Sequence, residues 1–211
     1  MKELIVFDID RTIYNGSIFL DFALHLIEKE KISPKFLSKI GFEFFTYQTG
    51  FESYDELVTD CLDAFYFETK DIDPKDLKKE LKECLLKNHH KFYDFALEIP
   101  KLYPSYEVLI ISLEPEYVVE EVAKFLQIKS FLGNQKLEIN KFKILKESLY
   151  SENKINSCFG DSESDYELLK HATFKYAINP TSKLSKLISQ KEVDIQVINP
   201  EEAYLYFKKN H

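Results

Sequence analysis

Residues 5–12 of the chain read Ile-Val-Phe-Asp-Ile-Asp-Arg-Thr, and they place two carboxylates, Asp8 and Asp10, at the end of an apolar run. In an extended chain, side chains two residues apart point to the same face. The pattern therefore predicts a buried strand with a pair of acids at its C-terminal end, the end at which open α/β sheets bind their ligands. A metal site, an acid–base couple and no chemical role at all remain open for this pair.

The composition is that of a folded protein with one main core. With 211 residues the chain can form one sizeable core with a smaller insertion, and 45% apolar and 15% aromatic residues exclude disorder. The net charge of -8 gives no general attraction to nucleic acid or to an anionic membrane. We therefore expect neither as a partner.

The sequence pattern predicts neither a membrane span nor a signal peptide. Apolar runs stay far below the ~18 residues of a span, and the charges of Glu3 and Asp8 around the first run do not suit a signal peptide. Cys61, Cys84 and Cys158 lack the spacing of a metal site. We therefore predict a cytoplasmic protein with reduced thiols.

Helix signals follow one another between residues 16 and 90. Ser17, Ser53 and Asp73 are predicted N-caps. Ser33-Pro34 marks the start of a further helix, with proline at its first position. Because connections within a compact domain are normally short, we predict that residues 16–90 form an all-α insertion.

Strands and helices alternate after residue 92. Short apolar strands are predicted at 106–111, near Phe131, and at 155–159, 174–178 and 194–198. This alternation is typical of a parallel sheet covered by helices. We therefore predict the α/β class, with residues 1–15 and 91–211 forming the core and residues 16–90 a helical cap above its ligand edge.

A second acidic stretch, Gly160-Asp-Ser-Glu-Ser-Asp165, follows one of these predicted strands. Asp161 is expected at the strand end, as Asp8 is, with Asp165 in the first turn of the next helix. Because Ser162-x-x-Asp165 also fits a capping box, simple helix capping is an alternative. Carboxylates that converge on one edge repel one another unless a cation lies among them, and oxygen ligands suit Mg²⁺.

Two further residues offer what an anion needs at the same edge. Ser112 is predicted to end the strand 106–111 just before a helix opened by Glu114-Pro115, which would place its hydroxyl at a helix N-terminus. An ordinary N-cap serine is the alternative. Lys141 is predicted to begin the next helix, with its ammonium beside the same edge.

In combination, these stretches resemble the four sequence motifs of the haloacid dehalogenase superfamily. In chain order they are Asp8-x-Asp10-x-Thr12, Ser112, Lys141 and Gly160-Asp161-x-x-x-Asp165. The helical insertion resembles the C1 cap of the phosphoserine-phosphatase-like subgroup, and the resemblance spans essentially the whole chain. It implies a Rossmann-like core with an inserted cap, and hydrolysis of a phosphate monoester through an aspartyl-phosphate.

The resemblance also implies a role for each acidic motif residue. Asp8 would be the nucleophile and a ligand of Mg²⁺. Asp10 would be the general acid and base, and its backbone carbonyl would bind the same ion. Asp161 would hold the metal, and Asp165 would support it as a neighbouring residue or ligand.

Phosphate binding is implied for Thr12, Ser112 and Lys141. The two hydroxyls would orient the phosphoryl group, and the lysine would neutralise charge on it and on Asp8. Lys143 lies nearby, but the stretch Asn140-Lys-Phe-Lys-Ile-Leu is most similar to the family at the register of Lys141. The expected cofactor is therefore Mg²⁺, and the expected partner is a small-molecule phosphate ester.

Arg11 is the sole arginine of the chain, at a position where the family often has a small residue. We hypothesise that its planar guanidinium reaches the cap interface and holds a second anionic group of the substrate. An exposed residue without a partner is the alternative.

Aromatic residues crowd the predicted cap. They are Phe42, Phe44, Phe45, Tyr47, Phe51, Phe65, Tyr66 and Phe67. Packing inside a small helical domain is expected for most of them, and some are expected to line a pocket for an apolar or aromatic leaving group.

The sequence thus predicts a cytoplasmic, Mg²⁺-dependent phosphatase that acts on small-molecule phosphate esters. Phosphotransfer to an acceptor other than water would use the same residues and is the first alternative. A non-catalytic binding or regulatory protein on the same fold is the second, although every motif residue needed for turnover is present. Dehalogenation is disfavoured, because that branch of the family needs neither the Asp10 acid nor the metal. The natural substrate and the oligomeric state are left open.

Overall fold

A parallel β-sheet of six strands forms the centre of the structure, a computed structural model that describes residues 2–135, 138–190 and 193–203. In chain order the strands are β1 (Leu4–Phe7), β2 (Glu107–Pro115), β3 (Ser130–Asn134), β4 (Ile155–Gly160), β5 (Phe174–Ile178) and β6 (Gln196–Ile198). They lie in the order β3-β2-β1-β4-β5-β6, and every neighbouring pair is parallel. The predicted α/β class is confirmed.

The strand that carries the first motif lies inside the sheet and is fully buried. Ile5 and Phe7 pack into the core on one face of the sheet, and Leu4 and Val6 pack into a second core on the other face. A parallel strand that is covered on both faces needs a continuous apolar run, which β1 has. Because β1 ends at Phe7, Asp8 is the first residue beyond it.

The chain between β1 and β2 is helical. Its helices are α1 (Ile18–Glu28), α2 (Lys35–Thr49), α3 (Tyr54–Thr69), α4 (Pro74–Lys87) and α5 (Asp94–Leu102), with a 3-10 turn at His89–Lys91. The predicted helical character of residues 16–90 is confirmed. The division into a core of residues 1–15 and 91–211 and a separate cap domain stays a prediction.

The helix starts agree with the predicted caps in three cases. Ser17, Ser53 and Asp73 each accept a hydrogen bond from a backbone N–H in the first turn of the helix that follows. In α2, Pro34 occupies the N-cap position and the helix begins at Lys35, one residue later than predicted.

The remaining helices connect successive strands of the sheet. They are α6 (Glu116–Phe125), α7 (Lys141–Lys146), α8 (Tyr166–His171) and α9 (Ser182–Gln190). Just beyond the end of α7, Ser148 Oγ donates to the Leu145 carbonyl at 2.7 Å and closes a local turn. Within the described ranges, no helix combines the length and apolar character that a bilayer span requires.

The strand that carries Ser112 is longer than predicted. Both the predicted strand end at residue 111 and the predicted helix start at Glu114-Pro115 are wrong, since β2 runs through Pro115 and α6 begins at Glu116. The residue before a proline avoids helical geometry, so a helix does not start at Glu114. The ladder with β3 is interrupted between residues 111 and 115. Ser112 therefore lies in an irregular part of a strand, and its predicted place at a helix N-terminus is wrong.

The aromatic residues of α2, α3 and the turn between them are less buried than predicted. Phe65 is buried, but four others are more than half exposed, namely Phe42, Phe45, Phe51 and Phe67. Core packing is therefore wrong as an explanation for these four. For Phe42 and Phe45 the reason is that α2 buries a narrow stripe, Phe36 and Ile40, whereas these two residues lie on its other faces.

Candidate active site

Three carboxylates meet at the C-terminal ends of the neighbouring strands β1 and β4. Asp8 follows β1, Asp161 follows β4, and Asp165 reaches the same place from the 3-10 turn after Asp161. One oxygen atom of each carboxylate lies within 4.8 Å of the other two, and all three residues are buried. The first and fourth motifs, which are far apart in sequence, therefore form one site.

Lys141 lies among these acids. It is the first residue of α7, and its Nζ donates to Asp8 Oδ1 at 2.5 Å and to Asp165 Oδ1 at 2.7 Å. Its side chain is 3% exposed, whereas Lys143 is 58% exposed and pairs with Glu138. Of these two lysines, Lys141 is the one that reaches the acids.

Asp165 organises the turn that carries Asp161. Its Oδ2 accepts hydrogen bonds from the backbone N–H of Asp161 at 3.1 Å and of Ser162 at 3.0 Å. The capping box of Ser162 and Asp165 is also present. Asp165 therefore caps the 3-10 turn and also belongs to the acidic cluster. Gly160 is required for close approach, because a Cβ there would lie 2.4 Å from Asp165 Cβ.

Burial and the charges of neighbouring acids disfavour the ionised forms of Asp8 and Asp161. Burial raises the pKa of Asp8 to about 7, although the ammonium of Lys141 opposes this shift. Burial, together with the charges of Asp8 and Asp165, raises the pKa of Asp161 well above its usual range. If all three carboxylates were ionised, they would carry more negative charge than Lys141 and Arg11 together neutralise. A crowded set of hard oxygen donors fits a divalent cation such as Mg²⁺, which would relieve the repulsion.

Asp10 lies next to this cluster but has a different partner. Its Oδ1 accepts a hydrogen bond from the backbone N–H of Ile18 at 2.9 Å, at the start of α1. Burial raises the pKa of Asp10 to about 6, and the bond from Ile18 opposes the shift. The helix start thus fixes the orientation of the Asp10 carboxyl group.

The two predicted hydroxyl residues lie at different depths. Thr12 is fully buried, and its Oγ1 donates to Asp8 Oδ2 at 3.4 Å. Ser112 lines the cavity at the sheet edge, and its Oγ accepts a hydrogen bond from the backbone N–H of Glu114 at 3.3 Å. Thr12 therefore contacts Asp8, and Ser112 is the one of the two hydroxyl residues that lines the cavity.

Arg11 has two partners, so the alternative of an exposed residue without a partner is wrong. Its Nε lies 2.9 Å from Asp161 Oδ2, and its guanidinium also donates to the carbonyl of Asn179 at 2.9 Å. Its backbone is left-handed, with a φ of 58°. Contact between Arg11 and a second anionic group of the substrate stays a prediction.

A cavity of about 1820 Å³ lies against this edge of the sheet. Its lining combines the motif residues with side chains of α2 and α3, among them Tyr47, Tyr54 and Leu57. The prediction that some aromatic residues of the insertion line a pocket therefore agrees with the structure.

Tyr47 joins α2 to the fourth motif. Its hydroxyl donates to Glu163 Oε1 at 2.6 Å, and the Nζ of Lys183 lies 3.3 Å from the centroid of its ring. Glu163 stands between Asp161 and Asp165 in the sequence. Sequence reasoning missed this contact, because the abundance of aromatic residues in the insertion does not single out Tyr47.

Replacing Tyr47 with phenylalanine is expected to loosen α2 from the sheet edge. The variant loses one hydrogen bond worth about 1 kcal/mol, so α2 opens more often. The rate of amide hydrogen exchange in α2 should therefore rise about five-fold. Hydrogen exchange followed by mass spectrometry measures this change, with Tyr150→Phe as a control that removes a hydroxyl from the other side of the sheet. Equal exchange in the Tyr47 variant and the wild type would show that the bond does not hold α2.

Residues 5–170, which contain all four motifs, match the family model of the haloacid dehalogenase-like hydrolases. The chain belongs to this family. The family resemblance drawn from the motifs is thereby confirmed. Among curated proteins, none matches the chain.

Several solved structures share the fold of this haloacid dehalogenase-like chain. A protein of unknown function from Bordetella pertussis Tohama I is 14% identical, with a TM-score of 0.72 and coverage of 95% of this chain and 100% of that chain. A phosphoserine phosphohydrolase-like protein from Francisella tularensis subsp. tularensis SCHU S4 is 18% identical, with a TM-score of 0.65. The match covers 98% of this chain and 99% of that chain. A phosphoserine phosphatase described as a phospho-aspartyl intermediate analogue is 16% identical, with a TM-score of 0.64. The match covers 97% of this chain and 98% of that chain. At these identities the likeness shows the shared fold, and it confirms the predicted Rossmann-like architecture.

Proposed function

We propose that this haloacid dehalogenase-like hydrolase is a phosphatase that cleaves small-molecule phosphate monoesters through an aspartyl-phosphate on Asp8. The observation that carries the proposal is the buried pair of Asp8 and Lys141, 2.5 Å apart beside Asp161 and Asp165. Phosphoryl transfer depends mainly on positioning and on stabilisation of charge, and this arrangement supplies both.

Asp8 is the nucleophile in this proposal. One of its oxygen atoms accepts from Lys141 and the other from Thr12, so the carboxylate has a fixed orientation at the base of the cavity. In the first step a carboxylate oxygen bonds to phosphorus and the ester oxygen leaves. Lys141 stabilises charge on the phosphoryl oxygens, and the hydroxyl of Ser112 donates to one of them.

Asp10 is the general acid and base in this proposal. It protonates the leaving alkoxide in the first step and takes a proton from water in the second, when water releases phosphate from Asp8. The hydrogen bond from the backbone N–H of Ile18 supports this role, because it holds the carboxyl group in one orientation.

The acidic cluster supports Mg²⁺ as the cofactor. The carboxylates of Asp8 and Asp161 and the backbone carbonyl of Asp10 would hold the ion, and Asp165 would fix the turn that carries Asp161. When bound, the ion would neutralise charge on the phosphoryl group.

Release of inorganic phosphate from a panel of phosphate monoesters, including simple aryl phosphates, tests the proposed function. We expect release in Mg²⁺ from at least one ester, a loss of at least about 100-fold in EDTA, and recovery when excess Mg²⁺ is added, because the ion supplies several kcal/mol of charge stabilisation. Addition of alcohols to the assay measures transfer to acceptors other than water. Absence of release from every ester would contradict the proposal and favour a binding or regulatory protein.

A further inference from the structure

Glu114 is a buried carboxylate whose Oε2 has no hydrogen-bond partner among the residues that the structure describes. It lies in β2, two residues after Ser112, and lines the same cavity as Asp8 and Lys141. The proposed hydrolysis gives it no role. A buried polar group without a partner costs about 1–3 kcal/mol, and more if it is charged, so Glu114 favours a ligand that supplies the missing partner.

The irregular part of β2 presents this side chain to the cavity. The ladder with β3 is interrupted between Ile111 and Pro115, and irregularities of this kind re-aim side chains next to active sites. The backbone N–H of Glu114 donates to Ser112 Oγ at 3.3 Å. Glu114 is therefore held next to the hydroxyl that we expect to bind the phosphoryl group.

The charged residues around the cavity favour a cationic partner for Glu114. In the described part of the chain, the arginine and lysine side chains that line the cavity are Arg11 and Lys141. Arg11 is paired with Asp161, and Lys141 with Asp8 and Asp165. Neither pairs with Glu114, and acidic residues outnumber these two cations on the lining.

We propose that Glu114 is a specificity-determining residue, which binds a protonated amine on the alcohol moiety of the phosphate ester. This inference rests on the proposed phosphatase function. Burial and the charges of Asp10 and Asp8 raise the pKa of Glu114 well above its usual range, so its ionised form needs a cation beside it. An ammonium group supplies that positive charge together with hydrogen-bond donors, whereas an anionic leaving group would be repelled.

The test compares 2-aminoethyl phosphate with n-propyl phosphate, which has nearly the same shape and no charge on its alcohol moiety. An aryl phosphate serves as a third, basal substrate, and all assays use the full chain with Mg²⁺. The wild type is expected to prefer the amine by about 10- to 100-fold in kcat/KM, as a charge-assisted hydrogen bond predicts. Glu114→Gln is expected to lose this preference while its rates on the propyl and aryl esters stay within a few-fold of the wild type.

Two further variants separate specific binding from general effects. Glu98→Gln removes another acid from the cavity lining, one that pairs with Lys101, and is expected to keep the preference for the amine. Glu114→Asp keeps the carboxylate one methylene shorter and is expected to keep a smaller preference. This variant tests the inference even if Glu114→Gln does not fold.

The inference on Glu114 and the proposed function fail in different ways. If the wild type hydrolyses none of the three esters, the proposed function fails. If it hydrolyses the aryl ester but shows no preference for the amine, or if Glu114→Gln keeps that preference, the role of Glu114 is overturned while the phosphatase function stands. An equal loss on all three esters would also overturn it, because that result assigns Glu114 a structural role.

Discussion

Replacing Asp8 with asparagine is expected to lower kcat for phosphate release by on the order of 10⁴-fold or more, as loss of a catalytic nucleophile does in other enzymes. The amide nearly matches the carboxylate in size, so the buried site keeps its shape, but it does not form an acyl phosphate. Asp8 is 4% exposed, and its partners Lys141 and Thr12 remain in place to hold the amide. Release of phosphate under saturating substrate and Mg²⁺ measures the effect.

Asp94→Asn is the matched control for this variant. Asp94 is an exposed acid in the first turn of α5 that also lines the cavity, so its replacement likewise exchanges one carboxyl group of the lining for an amide. We expect the control to retain a rate within a few-fold of the wild type. A normal rate in Asp8→Asn would rule out Asp8 as the nucleophile.

Replacing Lys141 with alanine is expected to lower kcat by roughly 100- to 1,000-fold, because loss of one positioned charge stabiliser costs ~3 kcal/mol or more in the transition state. The substitution also leaves Asp8 and Asp165 without their ammonium partner. We therefore expect the free energy of unfolding to fall by about 3 kcal/mol, the cost of removing one member of a buried ion pair. Steady-state kinetics and denaturant unfolding measure the two effects separately.

Lys143→Ala is the matched control, two residues further along α7. Lys143 is an exposed side chain paired with Glu138, and a surface pair of this kind contributes little to stability because solvent screens it. Its replacement is expected to leave both kcat and the free energy of unfolding nearly unchanged. Full activity in Lys141→Ala, with a loss in Lys143→Ala, would move the catalytic role to Lys143.

The parts of the fold that depend on local sequence were predictable. The apolar run before Asp8 predicted a buried strand, and the side chains of Ser17, Ser53 and Asp73 predicted helix starts, because a cap and its partner lie within a few residues of each other. The parallel sheet followed from the alternation of strands and helices.

The irregular end of β2 shows where local reasoning failed. Pro115 predicted a helix start, because proline is common in the first turn. In the structure the buried residues up to Pro115 remain extended, and pairing with β3 resumes at Asn134. The partner strand, which is distant in sequence, decides where β2 ends.

The cavity wall depends on contacts between distant parts of the chain. The bond from Tyr47 to Glu163 and the pairing of Arg11 with Asp161 join segments separated by more than 100 residues. No spacing rule connects such residues, so the sequence predicted the motif residues at the sheet edge but not these contacts between side chains that line the cavity. Glu114 was not predicted to line the site, because the sequence Glu114-Pro115 was assigned to the start of a helix.

Trapping the covalent intermediate tests the central claim most directly. The wild type would be mixed with a hydrolysed ester and Mg²⁺, quenched in acid during turnover, digested and analysed by mass spectrometry. We predict an alkali-labile phosphoryl group on the peptide that contains Asp8, and its absence in Asp8→Asn. Turnover with no phosphoryl group on Asp8, or with the group on another residue, would contradict the proposed mechanism.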